Sequence, residues 1–203
     1  GSRLLEPPYT SVHELVSDLL DALTPLLHDK PFSFFGHSNG ALVAFELSCV
    51  LQRHRLPMPQ RLFLSASPAP WARVFDQPYS QMSDETFKAM LRDFNGTPQE
   101  ILDDVDLFPL LLPGLRADFS MCEGYRYTHA RKLAVPVDVY HGEYDDIDQA
   151  QLLAWRDHIA QPLRFEQIPG GHFYIHSHIE QLTHSIAQRL AQAAGTYPTC
   201  PAY

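Results

Sequence analysis

The sequence predicts an α/β fold in which a mostly parallel sheet carries helices on both faces. Short apolar segments with strand character alternate with helical patterns along the chain, an order typical of parallel sheets. Residues 36–40 read G-x-S-x-G between an aromatic-rich strand and a strong helix former, which is the order strand, sharp turn, helix. The 203 residues, 45% of them hydrophobic, suit one domain with a sizeable core.

Each element of this core has its own local signal. A capping box at Ser11 predicts a helix to about His28, which Pro25 should kink or shorten. A second capping box at Ser177 predicts the start of the last helix, which should run to about residue 194. The other core helices are expected from the turn at residue 40 to about 54 and at 149–158. Strands are expected at 31–35, 61–66, 135–140 and 163–168.

The segment 68–128 differs from the rest because it contains proline stops and short helical patterns but no convincing strand. Ser83 should cap a helix from Asp84 to Phe94, and residues 97–100 form a capping box with Pro98 at the first helical position. A third helix should carry Leu115, Phe119 and Cys122, with leucines 110–112 ahead of it. We therefore predict a helical lid at 68–128, a core at 1–67 and 129–194, and a flexible tail at 195–203.

The net charge of −9 argues against a nucleic-acid surface. An acidic protein partner would need a local basic patch, for which Arg53, Arg55 and Arg61 are candidates, although ordinary solubilising charge is the favoured interpretation. No apolar run is long enough for a membrane span, and the N-terminus has no secretion signal pattern. The cysteines fit no metal-ligand pattern and are interpreted as reduced thiols of a cytoplasmic protein: Cys49, Cys122 and Cys200.

Three predicted strands end in the side chains that nucleophilic catalysis requires. Ser38 follows one strand, Asp145 follows the next but one, and His172 follows the last. Reactive groups gather at the carboxyl ends of strands in an open parallel sheet, and the order Ser, Asp, His is that of the α/β-hydrolase fold. A serine needs a base, and the base needs an acid behind it. Alternatives that stay open are Asp146 and Asp148 for the acid and His141 for the base, whereas His37 is interpreted as structural.

At this point the chain resembles the type II thioesterases that accompany polyketide and nonribosomal peptide synthases, whose vertebrate relative is the medium-chain fatty acid release thioesterase. The resemblance covers nearly all of residues 3–190. Its matching stretches are Glu6-Pro7-Pro8-Tyr9-Thr10-Ser11, Lys30-Pro31-Phe32, Gly36-His37-Ser38, Asn95-Gly96-Thr97-Pro98, Leu115-Arg116-Ala117-Asp118, Gly142-x-x-Asp145 and Pro169-Gly170-Gly171-His172-Phe173.

The resemblance implies hydrolysis of an acyl thioester, held on the phosphopantetheine arm of an acyl or peptidyl carrier protein, through an acyl-serine intermediate. It implies no metal and no organic cofactor. Ser38, His172 and Asp145 would be nucleophile, base and acid, and the backbone N–H of Asn39 would serve the oxyanion hole. An esterase or acyl-CoA hydrolase on the same triad is the alternative within the enzyme class.

Two departures from the family pattern carry expectations of their own. Asn39 stands where the family usually has methionine, so its side chain is expected to alter the acyl pocket or to hydrogen-bond locally. Family members also begin with further strands and a glycine loop that gives a second oxyanion N–H, and these are expected to be absent from this chain. Loss of one such donor costs about a hundredfold in rate, so weak activity or a non-catalytic carrier-binding remnant is a further alternative.

Overall fold

A four-stranded sheet forms the centre of the structure, which is a computed structural model describing residues 6–75 and 77–194. All neighbouring strands pair in parallel, in the spatial order β1-β2-β3-β4, which confirms the predicted parallel sheet. The predicted tail at 195–203, with Cys200, lies outside the described residues. The strands are β1 Phe34–His37, β2 Leu62–Ser65, β3 Val137–Gly142 and β4 Leu163–Ile168.

Helices connect the strands and cover the sheet, as expected for parallel pairing. Short 3-10 turns occur at Thr24–Leu26, Pro70–Ala72, Tyr79–Gln81 and Ala154–Asp157. The α-helices of the described residues are α1 Val12–Leu23, α2 Asn39–His54, α3 Asp84–Phe94, α4 Gln99–Asp103, α5 Leu107–Gly124, α6 Gln149–Leu153, α7 Tyr174–Ser177 and α8 Ile179–Ala194.

Two hydrophobic clusters on opposite faces of the sheet follow from the alternation of side chains along β2 and β3. Leu62 and Leu64 point to one face, whereas Phe63 between them points to the other. On the first face they pack with Phe45 of α2, Trp155, Val137 and Val139. On the second face the cluster contains Tyr140, Ile168, Tyr174 of α7 and Leu182 of α8. The prediction of helices on both faces is thereby confirmed.

Several element boundaries differ from those predicted, mostly at prolines. The first helix ends at Leu23 rather than His28, because Pro25 lies in a 3-10 turn. Strand β1 begins at Phe34, whose N–H donates to the Arg61 carbonyl, and continues through His37, which the sequence assigned to the turn. Strand β3 is displaced to Val137–Gly142, since Pro136 lacks the N–H that a ladder requires.

Two capping predictions were wrong. Pro98 is the N-cap of α4 rather than its first helical residue, and no side chain caps that helix. Ser177 is the last residue of α7, where its hydroxyl donates to the Tyr174 carbonyl, and α8 begins only at Ile179. In contrast, the Ser11 and Ser83 hydroxyls accept from the backbone N–H groups of Glu14 and Thr86, as expected for N-caps.

The segment between β2 and β3 is helical, and residues 68–75 and 77–128 contain no strand. Helix α5 is longer than predicted: it begins at Leu107 and includes Pro113 and the leucines that were expected to precede it. Phe87, Leu91, Leu102 and Phe108 form a small hydrophobic cluster within this segment. That the segment acts as a lid stays a prediction.

Candidate active site

Ser38 sits at the sharp turn between β1 and α2. Its φ of 54° lies in the left-handed region, which residues other than glycine rarely adopt. Its N–H donates to the Ser65 carbonyl at the end of β2, at 2.8 Å, and this bond holds the turn in place. A Cβ on Gly36 would lie 2.1 Å from the Gly40 carbonyl oxygen, so only glycine fits there. A Cβ on Gly40 meets nothing within 4 Å, so crowding at this turn requires a glycine at Gly36 but not at Gly40.

Asp145 and His172 meet at the carboxyl ends of β3 and β4. His172 Nδ1 lies 3.1 Å from each carboxylate oxygen of Asp145. The Asp145 side chain is 4% exposed and that of His172 is 15% exposed, so solvent screens their interaction weakly. A Cβ on Gly142 would lie 2.5 Å from the Gly171 carbonyl oxygen, so a glycine is needed for the two turns to approach this closely.

The second ring nitrogen of His172 is available for chemistry. Nε2 is buried and has no hydrogen-bond partner among the described residues. Since Nδ1 faces the carboxylate, it carries the ring proton in the neutral form, and Nε2 presents a lone pair. This is the state that a general base requires.

The structure places the competing candidates elsewhere. Asp146 is exposed, and Asp148 caps α6 by accepting a hydrogen bond from the Gln151 N–H. The ring of His141 hydrogen-bonds to the Gly142 carbonyl. Of these residues only Asp145 is paired with His172, which was the preferred assignment from the sequence.

His37, the residue before Ser38, belongs to a second polar group of the site. Its Nδ1 is hydrogen-bonded to Ser65 Oγ at 2.9 Å, and Ser65 Oγ is hydrogen-bonded to the Tyr174 hydroxyl. Burial, with a further contribution from nearby His172, lowers the pKa of His37 to about 4, so its ring is neutral near pH 7. Neither Ser65 nor Tyr174 was predicted from the sequence as a site residue. The available signal was that Ser65 ends a strand at the same sheet edge.

Asn39 is the first residue of α2, and its side chain forms hydrogen bonds with two residues of α5. Its Nδ2 donates to the Asp118 carbonyl at 2.9 Å, and its Oδ1 accepts from the Cys122 thiol. The side chain of Asn39 therefore does form hydrogen bonds, but with residues of α5 that are 79 and 83 positions away rather than with its local neighbours. Its backbone N–H belongs to the first turn of α2, where N–H groups have no partner within the helix.

A cavity of about 690 Å³ lies between the segment after β2 and the C-terminal end of α5. Its walls include Trp71, Phe75, Tyr125 and Tyr127, and they also include Cys122, which links the cavity to Asn39. Burial raises the pKa of the Cys122 thiol, so it remains protonated near pH 7.

Features outside the site were also placed by the structure. Arg61, a candidate for a basic docking patch, is paired with buried Asp138 at 2.5 Å. No group of three or more potential metal ligands is present in residues 6–75 and 77–194. Across the same described part of the chain, no helix is both long and apolar enough to cross a membrane.

Comparison with known proteins identifies relatives of this architecture. Residues 2–190 match the model of the thioesterase domain family. Thioesterase PikA5 of Streptomyces venezuelae is 33% identical over 95% of this chain and 69% of its own length. The medium-chain S-acyl fatty acid synthase thioesterase of Homo sapiens is 32% identical over 86% of this chain and 66% of its own length.

A further relative, LgrE of Brevibacillus parabrevis, is named a linear gramicidin dehydrogenase and is 37% identical over 90% of this chain and 70% of its own length. This chain has G-x-S-x-G at its strand–turn–helix, where a dinucleotide-binding dehydrogenase would need G-x-G-x-x-G. The dehydrogenase name of LgrE therefore does not transfer to this chain.

Among solved structures, YbtT, a type II thioesterase from the yersiniabactin NRPS/PKS pathway, superposes with a TM-score of 0.82 at 30% identity, covering 92% of this chain and 76% of YbtT. The superposition confirms the α/β-hydrolase type of the sheet and helices described above. This chain therefore belongs to the thioesterase family, as a type II thioesterase.

Proposed function

We propose that Ser38, His172 and Asp145 carry out thioester hydrolysis in this chain through an acyl-serine intermediate. The observation that carries this proposal is the pairing of Asp145 with His172 Nδ1, which leaves Nε2 buried and unpaired on a ring whose centroid lies 5.4 Å from that of His37, the residue before Ser38. Asp145 orients the ring and stabilises the imidazolium that forms during the reaction.

In the first half of the reaction, Ser38 Oγ attacks the thioester carbonyl carbon while its proton moves to His172 Nε2. The resulting tetrahedral oxyanion accepts a hydrogen bond from the Asn39 backbone N–H at the start of α2. The C–S bond then breaks, and the leaving thiolate takes the proton from Nε2. In the second half, His172 takes a proton from water, hydroxide attacks the acyl-serine, and Ser38 regains its proton as the carboxylic acid leaves.

The substrate we propose is an acyl group on the phosphopantetheine arm of an acyl or peptidyl carrier protein. The support is the relationship to PikA5 and to YbtT, the latter from an NRPS/PKS pathway. The compartment we propose is the cytoplasm, because neither Cys49 nor Cys122 forms a disulfide.

A serine-directed fluorophosphonate and an acyl-carrier substrate test this proposal together. We expect the probe to label Ser38, and we expect the purified protein to release free acid from an acyl-loaded carrier protein. Ser38→Ala should remove both signals without lowering the melting temperature. Labelling at another serine, or hydrolysis that survives in Ser38→Ala, would contradict the proposal.

The same assay separates the carrier substrate from its chemical relatives. The matching acyl-CoA and a simple acyl ester present the same carbonyl without the carrier protein. A higher kcat/KM for the carrier-bound acyl group supports the proposed partner. Equal or higher values for the ester or the CoA thioester would point to an esterase or acyl-CoA hydrolase.

A further inference from the structure

A chain of buried hydrogen bonds crosses the sheet edge behind the nucleophile and the base. Its members are His37, Ser65 and Tyr174, joined Nδ1 to Oγ and Oγ to the phenol hydroxyl. Ser65 is fully buried and Tyr174 is 1% exposed, so water does not compete for the bond between them, whereas the bond to His37 is partly buried. The catalytic steps described above do not use any of the three side chains.

Each member of the chain belongs to a different element of the site. His37 ends β1 and immediately precedes Ser38, whereas Ser65 ends β2 and also accepts the Ser38 N–H through its carbonyl. Tyr174 begins α7, two residues after His172. These hydrogen bonds therefore connect the turn that holds the nucleophile to the segment that holds the base.

This connection adds a side-chain restraint to the segment that carries His172, which is also held by backbone hydrogen bonds from Tyr144 N–H to the Gly170 carbonyl and from Tyr174 N–H to the Gly171 carbonyl. The segment is a short turn after β4 that contains Gly170 at φ 110° and Gly171, and glycines provide little conformational restraint of their own. The Asp145 carboxylate contacts only one nitrogen of the ring. The ring of His37 also packs edge-on against that of His172, with centroids 5.4 Å apart.

The protonation state of His37 suits this place. Burial keeps its pKa at about 4, so the ring stays neutral near pH 7 and adds no positive charge beside the imidazolium that His172 becomes. A cation at this position would oppose proton transfer from Ser38.

We propose that His37, Ser65 and Tyr174 are positioning residues that hold His172 at the nucleophile turn. This inference rests on the proposed roles of Ser38 and His172. It predicts that disrupting the hydrogen bonds among these three residues lowers kcat, while the KM for the acyl-carrier substrate stays nearly constant. Small displacements of a reacting group cost up to about a hundredfold in rate, so we expect a loss of roughly tenfold or more.

The test uses Tyr174→Phe, which removes only the hydroxyl, and Ser65→Ala, which removes both hydrogen bonds. The matched control is Tyr140→Phe, because Tyr140 is also fully buried, lies in the same hydrophobic cluster and hydrogen-bonds a serine, Ser185, at 3.1 Å. His37→Leu and His37→Asn form a second pair, since asparagine keeps a polar group near the position of Nδ1.

We expect Tyr174→Phe and Ser65→Ala to lose kcat, the double variant to be little worse than Ser65→Ala, and Tyr140→Phe to stay within about twofold of wild type. His37→Asn should recover part of the activity that His37→Leu loses. Equal kcat in Tyr174→Phe and Tyr140→Phe would overturn the inference, and so would a loss that appears only in KM. Neither result would affect the proposed function, which is tested separately by fluorophosphonate labelling at Ser38, by the release of free acid and by the loss of both in Ser38→Ala.

Discussion

The buried carboxylate of Glu46 should make a large contribution to the stability of this protein. Glu46 lies in the middle of α2 and is 1% exposed. It accepts hydrogen bonds from the Tyr125 hydroxyl at 2.7 Å and from His129 Nε2 at 2.7 Å, and His13 Nδ1 lies 3.3 Å away. The four residues therefore tie α1, α2 and the segment that leaves α5 to one another.

The size of the effect follows from what each substitution leaves behind. Glu46→Ala removes the acceptor and leaves donors buried without partners, for which we expect a loss of about 3–5 kcal/mol in the free energy of unfolding. Tyr125→Phe removes one hydrogen bond to a charged group, for which about 1.5–3 kcal/mol is expected. Glu85→Ala, at an exposed position on α3, is the control and should stay within about 0.5 kcal/mol of wild type.

The pH dependence provides an independent check. Burial alone would raise the pKa of Glu46, but the hydrogen bonds from His129 and Tyr125 outweigh it, so the pKa is lower than the ordinary value of 4.5. A carboxyl group with a lowered pKa in the folded state stabilises the fold fully above its unfolded pKa. That contribution disappears as the pH falls through the folded pKa. The stability difference between wild type and Glu46→Ala should therefore shrink below about pH 4.5.

Urea unfolding followed by circular dichroism, repeated between neutral and acidic pH, measures both effects. Equal slopes against urea in all variants would show that the midpoints report stability. A loss below about 1 kcal/mol for Glu46→Ala at neutral pH would refute the argument that this carboxylate is held by its buried partners. An unchanged difference at acidic pH would refute the proposed origin of the lowered pKa.

Three further predictions concern activity. Asp145→Asn should lower kcat by about a thousandfold or more, because the amide favours the wrong tautomer of His172, whereas Asp146→Asn at an exposed position should change kcat little. A larger loss of kcat in Asp146→Asn would reverse the assignment of the acid. Gly142→Ala should lower kcat and the rate of fluorophosphonate labelling together, since its Cβ would press on the turn that carries His172, and full activity would show that this turn moves aside freely. Phe119→Ser should shift the preferred acyl length more than it changes turnover of a short acyl substrate, because Phe119 packs against Phe94, whose ring lies 5.1 Å from that of His172. An unchanged length profile in kinetic assays would argue against the helical segment as the acyl-binding element.

Elements with short-range signals could be predicted from the sequence. Strand β4 and helix α3 have the bounds that their hydrophobic pattern and the Ser83 cap indicate. The sharp turn at Ser38 was also identifiable, because the strand, the glycines and the helix former are contiguous in the sequence. Prolines gave the least reliable signals, since Pro98 became an N-cap and Pro113 lies inside α5, where neighbouring packing outweighs its local preference.

The sequence by itself predicted the residue types of the candidate site and their chain order, because Ser38, Asp145 and His172 each follow a predicted strand. The sequence favoured Asp145 but left Asp146 open as the acid, and the tertiary structure shows that Asp145 faces His172 whereas Asp146 is exposed. It also brought together Ser65 and Tyr174, which are 109 positions apart, and Glu46 and His129, which are 83 positions apart. Such pairs depend on the register of the parallel strands and on helix packing, and no property of either residue's sequence neighbourhood encodes them.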